Sequence, residues 1–339
     1  LLGAPLSRRI LRVALPMARP AIAAGTALAL METLADFGVS SYFGIQTFTA
    51  GIYKAWLVME NRIAAAQLAT LLLVVILVLL AAEKRAQSRL RFYSARVDRL
   101  SGEAQPFQLR GLSAAFMLTL CVLPVLCGFV LPVLFMFRAL LQGDWFVNLP
   151  WDRFTQWSLT SLSLGALAAS MAVGAALLLA AQARLHPNWL TRQVVGVVGL
   201  GYAVPGAVIV VGLLLPVGWV QDTWPRTGVG FWLTATLLGL LWAYLVRFVA
   251  VAFQSVQSGY ARVPASLDDS ARMLGTSGFS LIYRVHWPLL KKPLAAATLL
   301  VLIDVMKELP ATLVLRPFNT DTLAVMAYQL ARDERLGEA

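Results

Sequence analysis

The sequence is poor in the residues that build redox and metal sites, since its 339 residues include two cysteines and two histidines. Cys121 and Cys127 lie on one predicted helix and cannot easily meet, so neither a disulfide nor a metal site is expected. His186 and His286 are single histidines in predicted loops, and no chemistry is assigned to them. GxxxxGK[ST], HExxH and CxxC motifs are also absent. The chain itself is therefore not expected to bind ATP or hold a catalytic metal.

Charged residues are scarce as well. They make up 13% of the chain, hydrophobic residues make up 59%, and the mean hydropathy is +0.73. Soluble domains are about 45–50% apolar and 25% charged, so this composition predicts an all-α membrane protein. Most of the apolar runs reach the roughly 20 residues that a helix needs to cross a bilayer. Seven spans are predicted, at about 17–35, 67–82, 112–141, 158–181, 194–220, 230–253 and 293–305.

Lys and Arg are distributed unevenly between the predicted loops. Eighteen lie in segments 1–19, 83–111, 183–192 and 255–292, and seven lie in the opposite loops. The positive-inside rule therefore places those four segments in the cytoplasm. The net charge of +11 then reflects topology and contact with anionic membrane lipid rather than nucleic-acid binding.

The two ends of the chain contain similar sequences. The stretch "LGAPLSRRILRVALPMARP" at 2–20 matches "LGTSGFSLIYRVHWPLLKKP" at 274–293. Both copies begin on the same predicted side of the membrane, which indicates a parallel repeat whose halves enclose a central path. The matched pairs, all at one sequence offset, are Gly3 with Gly275, Arg12 with Arg284, and Pro16 with Pro288.

The repeat also suggests a domain organisation. Residues 1–83 would be the C-terminal part of a first membrane domain, 84–111 a basic cytoplasmic linker, and 112–339 a second membrane domain. On this interpretation the first repeat is truncated at its N-terminus and the second lacks its last helix. The natural protein is then expected to be longer.

A predicted cytoplasmic loop at 258–290 contains signals for two short helices. Ser266 followed by Asp269 forms a capping-box pattern, and Gly275 is placed to end the first helix. A second short helix is expected to precede Pro288. Two short helices with an exposed turn would make a docking element, although an ordinary amphipathic hairpin is the alternative.

This loop resembles the signature of the inner-membrane subunits of ABC importers, in which Glu-Ala-Ala is followed by a glycine and a closing Leu-Pro-like pair. Asp269, Ser270 and Ala271 stand at the three leading positions, Gly275 at the glycine and Trp287-Pro288 at the close; Asp and Ser depart from the pattern. The first copy keeps Gly3 and Leu15-Pro16.

The resemblance implies two repeats of the MetI-like permease fold in a bacterial inner membrane. It also implies two copies of a separate ATPase that uses ATP and Mg²⁺, and a periplasmic binding protein that delivers the cargo. The stretches at 31–56 and 307–339 look most like permeases for ferric iron, and related members carry thiamine or polyamines. An ion-driven carrier would need no docking loop, and a membrane enzyme would need a nucleophile and base cluster that is not visible.

Each copy carries two carboxylates four residues apart. Glu32 and Asp36 lie in the first copy, and Asp304 and Glu308, with Lys307 between them, lie in the second. Residues at this spacing share a helix face, and intramembrane carboxylates usually face a path or a partner. Because Fe³⁺ prefers oxygen ligands, we expect an acidic path that passes iron without a stable metal site. The alternative pairs Lys307 with Asp304 or Glu308 at the outer membrane interface.

Two further features leave alternatives open. Arg247, within the predicted span 230–253, either pairs with a carboxylate or lies near the inner surface. The Pro205-Gly206 step should kink its helix, either to line a pathway or to relieve packing.

Overall fold

A computed structural model describes residues 5–88, 109–142, 151–335 and 337, and these residues form helices and connecting turns without a strand. Four single π-helical turns and two 3₁₀ turns interrupt or join the helices. The π turns are Ile10–Ala14, Lys54–Val58, Leu126–Val130 and Ile282–His286, and the 3₁₀ turns are Gly201–Ala203 and Pro225–Thr227. The helices are α1 (Leu6–Arg9), α2 (Leu15–Ala35), α3 (Gly38–Tyr42), α4 (Phe48–Tyr53), α5 (Arg62–Ser88), α6 (Leu112–Val125), α7 (Leu131–Gln142), α8 (Trp151–Leu185), α9 (Trp189–Val198), α10 (Gly206–Thr223), α11 (Val229–Thr234), α12 (Leu237–Tyr260), α13 (Ala265–Met273), α14 (Gly278–Leu281), α15 (Trp287–Met306), α16 (Pro310–Leu315) and α17 (Leu323–Arg332).

Fewer helices than predicted are both long and apolar enough to cross a membrane. Among the described residues there are five, or six if Ser7–Arg19 and Ala21–Ala35, which meet at 55°, count as one span. The seventh predicted span corresponds to α15, which is 20 residues long but carries Lys291, Lys292 and Asp304. The five helices are Arg62–Arg85, Leu112–Arg138, Trp151–Leu185, Gly206–Thr223 and Leu237–Tyr260.

The prediction of one continuous span at 194–220 is wrong, because α9 ends at Val198 and α10 begins only at Gly206. Between them the backbone passes so close to α12 that a Cβ on Gly201 would lie 2.0 Å from the carbonyl oxygen of Val246. Pro205 then precedes α10 in an extended conformation. The expected distortion at Pro205-Gly206 is confirmed, but it is a full break rather than a kink.

The chain divides into two compact units. One comprises Leu1–Leu30, Leu77–Pro150 and Gln329–Ala339, and the other comprises Met31–Ile76 and Trp151–Tyr328. In the first unit, α6 lacks buried residues along its whole length. An apolar helix that buries none of its residues within the described part of the chain is suited to contact with lipid.

The core of the second unit is formed by α8, α12 and α15, which pack together along their length. The α8 face carries small residues, including Ala168, Ala172 and Ala176, which let helix backbones approach closely. A similar close approach occurs where α12 crosses α15, since a Cβ on Gly259 would lie 2.7 Å from the Pro293 ring. Residues of both candidate sites described below, including Arg184, Arg247 and Asp304, lie on these three helices.

Candidate coupling loop and acidic cluster

The predicted docking loop forms a nine-residue helix, α13. Gly275 ends it as expected: its φ is +78°, and the Thr276 amide donates to the Ala271 carbonyl at 2.9 Å across the turn. The capping-box prediction is wrong. Pro264 precedes the helix, no side chain caps it, and the exposed Asp269 instead lies 3.7 Å from Arg272.

The second short helix of the loop is not separate. α14 continues through the π turn Ile282–His286 into α15 without a break. Pro288 does not end the helix; it lies at the start of α15, directly after the π turn, and the helix continues past it. The turn after α13 is therefore joined directly to a core helix.

The side chains of the loop point in two directions. Ala271 is buried, whereas Ser270 is exposed and bonds back to the Ser266 carbonyl. Met273 and Leu274 are 90% and 85% exposed, and Phe279 and Tyr283 are also exposed, which gives the loop an apolar outer surface. Gly3, the matching position in the first copy, lies outside the described residues.

Beneath this surface is a buried polar network that the sequence did not predict. Asp268, the neighbour of the predicted Asp269, is 5% exposed and His286 is fully buried. Arg184 Nε donates to Asp268 Oδ2 at 2.6 Å, and His286 Nε2 lies 3.0 Å from Asp268 Oδ1. The Tyr260 hydroxyl lies 2.9 Å from His286 Nδ1. His286, to which no role was assigned, thus links α15 to α12 and α13.

Two opposing effects act on Asp268. Burial raises its pKa, but the hydrogen bonds and charges of Arg184 and His286 outweigh burial and hold the pKa below its ordinary value. Asp268 is therefore ionised at neutral pH. An ionised carboxylate has acceptor lone pairs on both oxygens, which suits the guanidinium on one side and the imidazole on the other.

The predicted carboxylate stripes on one helix face are wrong, because a helix ends within each pair. α2 ends at Ala35 and α15 at Met306, so Asp36 and Glu308 lie beyond the helix ends. Each of these two carboxylates instead bonds the start of the next short helix. Asp36 Oδ2 accepts from the Ser40 amide, and Glu308 Oε1 accepts from the Ala311 amide, both at 3.1 Å.

Glu308 is the most buried of the predicted path residues, with a side chain 5% exposed. Its Oε2 accepts from Arg247 NH1 at 2.5 Å, so Arg247 pairs with a carboxylate rather than lying free near the inner surface. The broken span packs against this pair: a Cβ on Gly206 would lie 2.5 Å from Glu308 Oε1 and 3.1 Å from the Pro310 Cβ. Glu308 therefore ties α12 to α16.

The remaining path residues are more accessible. Lys307, whose side chain is 61% exposed, pairs with Asp304 at 2.9 Å. The exposed Glu32 accepts a hydrogen bond from the Tyr202 hydroxyl, and the charges of Asp304 and Arg247 also act on that hydroxyl. Tyr202, in the break between α9 and α10, was missed by the sequence reasoning. Within the described residues, no group of three Asp, Glu, His or Cys side chains is placed to hold a metal ion.

Comparison with known proteins gives one family match. Residues 172–331 match the family described as "Binding-protein-dependent transport system inner membrane component". This match, and a similarity over 96% of the chain described next, support an inner-membrane permease of the ABC importer type with several membrane spans.

Two relatives give the finer context. The chain is 23% identical over 333 residues to the Fe(3+)-transport system permease protein FbpB 2 of Haemophilus influenzae, covering 96% of this chain and 62% of that protein. It is 31% identical over 184 residues to the putative 2-aminoethylphosphonate transport system permease protein PhnV of Salmonella typhimurium, covering 53% of this chain and 63% of that protein. The chain therefore spans somewhat less than two thirds of either relative.

Proposed function

We propose that this chain is the membrane subunit of an ATP-driven importer that receives ferric iron from a periplasmic binding protein. The single observation that carries the proposal is the exposed loop around α13. The loop is joined directly to the core helix α15, and α13 is ended by Gly275 in the left-handed conformation. The family match over 172–331 includes this loop and supports the same role. The thiamine and polyamine alternatives remain within the same class.

The loop would dock on the ATPase through its outer surface. Met273, Leu274 and Phe279 are large apolar side chains that are mostly exposed to solvent on this loop. A protein partner that bound here would cover them. Asp269, Ser270 and Ala271 would frame this surface, with Ala271 supporting it from beneath. Two copies of the ATPase are expected, one for this loop and one for its first-copy counterpart near Gly3.

The cargo assignment depends on charge. Tyr202 bonds Glu32 and lies within reach of the charges of Asp304 and Arg247, which pair with Lys307 and Glu308, so three carboxylates face two cations. An excess of carboxylate favours a hard cation over an anion such as a phosphonate. The name of the Haemophilus relative supports iron and that of the Salmonella relative favours a phosphonate, and the excess of carboxylate is our reason for proposing iron.

The path residues would have different tasks. Glu32 and Asp304, the more accessible carboxylates, would contact the cation in transit, while Lys307 would limit the negative charge. Glu308 and Asp36 would hold the short helices α16 and α3 in place through their amide contacts. The equivalent order of elements after each carboxylate pair supports the proposal of two parallel halves that rock about a central path.

The test is ATP-dependent uptake of ⁵⁵Fe³⁺ into proteoliposomes that contain the full-length protein, its ATPase and its binding protein. We expect uptake to require all three components and to fall at least tenfold in Glu32→Gln. The control Glu60→Gln changes an exposed carboxylate outside the acidic cluster and should transport normally. Uptake of 2-aminoethylphosphonate, thiamine or putrescine instead of iron would overturn the cargo assignment, and uptake without ATP would overturn the importer class.

A further inference from the structure

The buried network beneath α13 connects four parts of the second unit at one point. Arg184 lies in the last turn of α8 and donates to Asp268 on α13. The same guanidinium donates to the Val263 and Pro264 carbonyls, each at 3.0 Å, in the segment between α12 and α13. Arg184 therefore holds both the side chain of the loop helix and the backbone that leads into it.

His286 supplies the second connection. It lies in the π turn directly before α15, and its ring is fully buried between Asp268 and Tyr260. Its Nε2 lies 3.0 Å from Asp268 Oδ1 and its Nδ1 lies 2.9 Å from the Tyr260 hydroxyl, so each ring nitrogen faces one polar partner. One carboxylate on α13 thus receives hydrogen bonds from α8 on one side and from the start of α15 on the other.

Few other contacts fix α13. Of its nine residues, two are buried, Asp268 and Ala271, and its outer face is exposed. An apolar contact can slide, whereas charge-assisted hydrogen bonds have a fixed direction and resist breakage when buried. α15 in turn is a continuous helix of about 30 Å that leads from His286 to Asp304.

We propose that Arg184, Asp268 and His286 act as positioning residues that transmit movement of α13 to α8 and α15 when the ATPase closes. This inference rests on the proposed function, because it assigns a task to residues outside the docking surface and outside the acidic path. Loss of the network should leave the ATPase bound but disconnect its cycle from the membrane helices.

The experiment measures cargo transported per ATP hydrolysed in proteoliposomes holding the full-length protein, its ATPase and its binding protein. Asp268→Asn and His286→Phe are expected to keep ATPase co-purification and basal hydrolysis while the ratio falls about tenfold. His286→Gln, whose amide can still donate to Asp268, should recover more than half of the ratio. Asp222→Asn, an exposed carboxylate on another part of the chain, is the matched control.

An unchanged ratio in Asp268→Asn, or equal loss in His286→Gln and His286→Phe, would overturn the inference. If Asp268→Asn does not reach the membrane, Tyr260→Phe carries the test, because it removes only the hydroxyl that bonds His286. It should lower the ratio at least twofold, and an unchanged ratio would again overturn the inference. Absence of ATP-dependent transport in the unmodified complex would instead reject the proposed function.

Discussion

The Arg247–Glu308 pair offers a direct physical test of the second unit. The two side chains are 11% and 5% exposed and lie 2.5 Å apart. Replacing Arg247 by Met leaves Glu308 as a buried carboxylate without its cation, which costs about 3–5 kcal/mol. At roughly 2 °C per kcal/mol for a large domain, the unfolding midpoint should fall by about 6–10 °C.

A second variant distinguishes the loss of the ion-pair attraction from the cost of leaving a buried charge without a partner. Glu308→Gln keeps an oxygen that can accept from the Ala311 amide but removes the negative charge. The double variant Arg247→Met with Glu308→Gln should therefore recover most of the loss and lie within about 1–2 kcal/mol of the unmodified protein. Lys307→Met is the control, since the Lys307 side chain is 61% exposed and its solvent-screened pair with Asp304 should contribute about 0–1 kcal/mol.

The assay is thermal unfolding of the purified full-length protein in detergent, followed by tryptophan fluorescence. A midpoint in Arg247→Met that matches the Lys307→Met control would show that the pair is not buried as described. A double variant as unstable as the sum of its single changes would show that the two residues act independently.

Three further predictions concern single positions. Gly206→Ala should lower stability by about 1–3 kcal/mol through contact with Glu308 and Pro310, whereas Gly212→Ala, which has open space around its Cβ, should not; thermal unfolding compares them. Gly275→Ala should cost about 1–2 kcal/mol at its positive φ and speed amide exchange in 265–274 about 5–30-fold by mass spectrometry, and unchanged exchange would contradict the left-handed assignment. Because the folded pKa of Asp268 is lowered, its contribution to stability is present at neutral pH and is lost as the pH falls below about 4. Acid titration of unfolding should show this loss in the unmodified protein and a flatter profile in Asp268→Asn.

Local patterns in the sequence predicted the helical membrane class and the loop-ending role of Gly275. Apolar runs are local, and so is the need for a glycine where φ is positive. The same reasoning failed at 194–220, because the break there depends on the close approach of Gly201 to α12, which no local pattern reports.

The polar contacts were predicted least well. Glu308 and Arg247 are 61 residues apart in the chain, and Arg184 and Asp268 are 84 apart, so their pairing follows from the packing of helices rather than from spacing. His286 was set aside as a loop histidine, yet its place two residues before Pro288 puts it at the start of α15 and inside the core. A charged residue on a mostly apolar helix was the one available signal, and it selected Arg247 without naming its partner.

The most direct test of the central claim is ⁵⁵Fe³⁺ uptake by proteoliposomes containing the full-length protein, measured with and without its ATPase, its binding protein and ATP. We predict uptake that needs all three and that is lost in Glu32→Gln but kept in Glu60→Gln. Iron uptake that proceeds without the ATPase, or no iron uptake while another cargo is transported, would contradict that prediction.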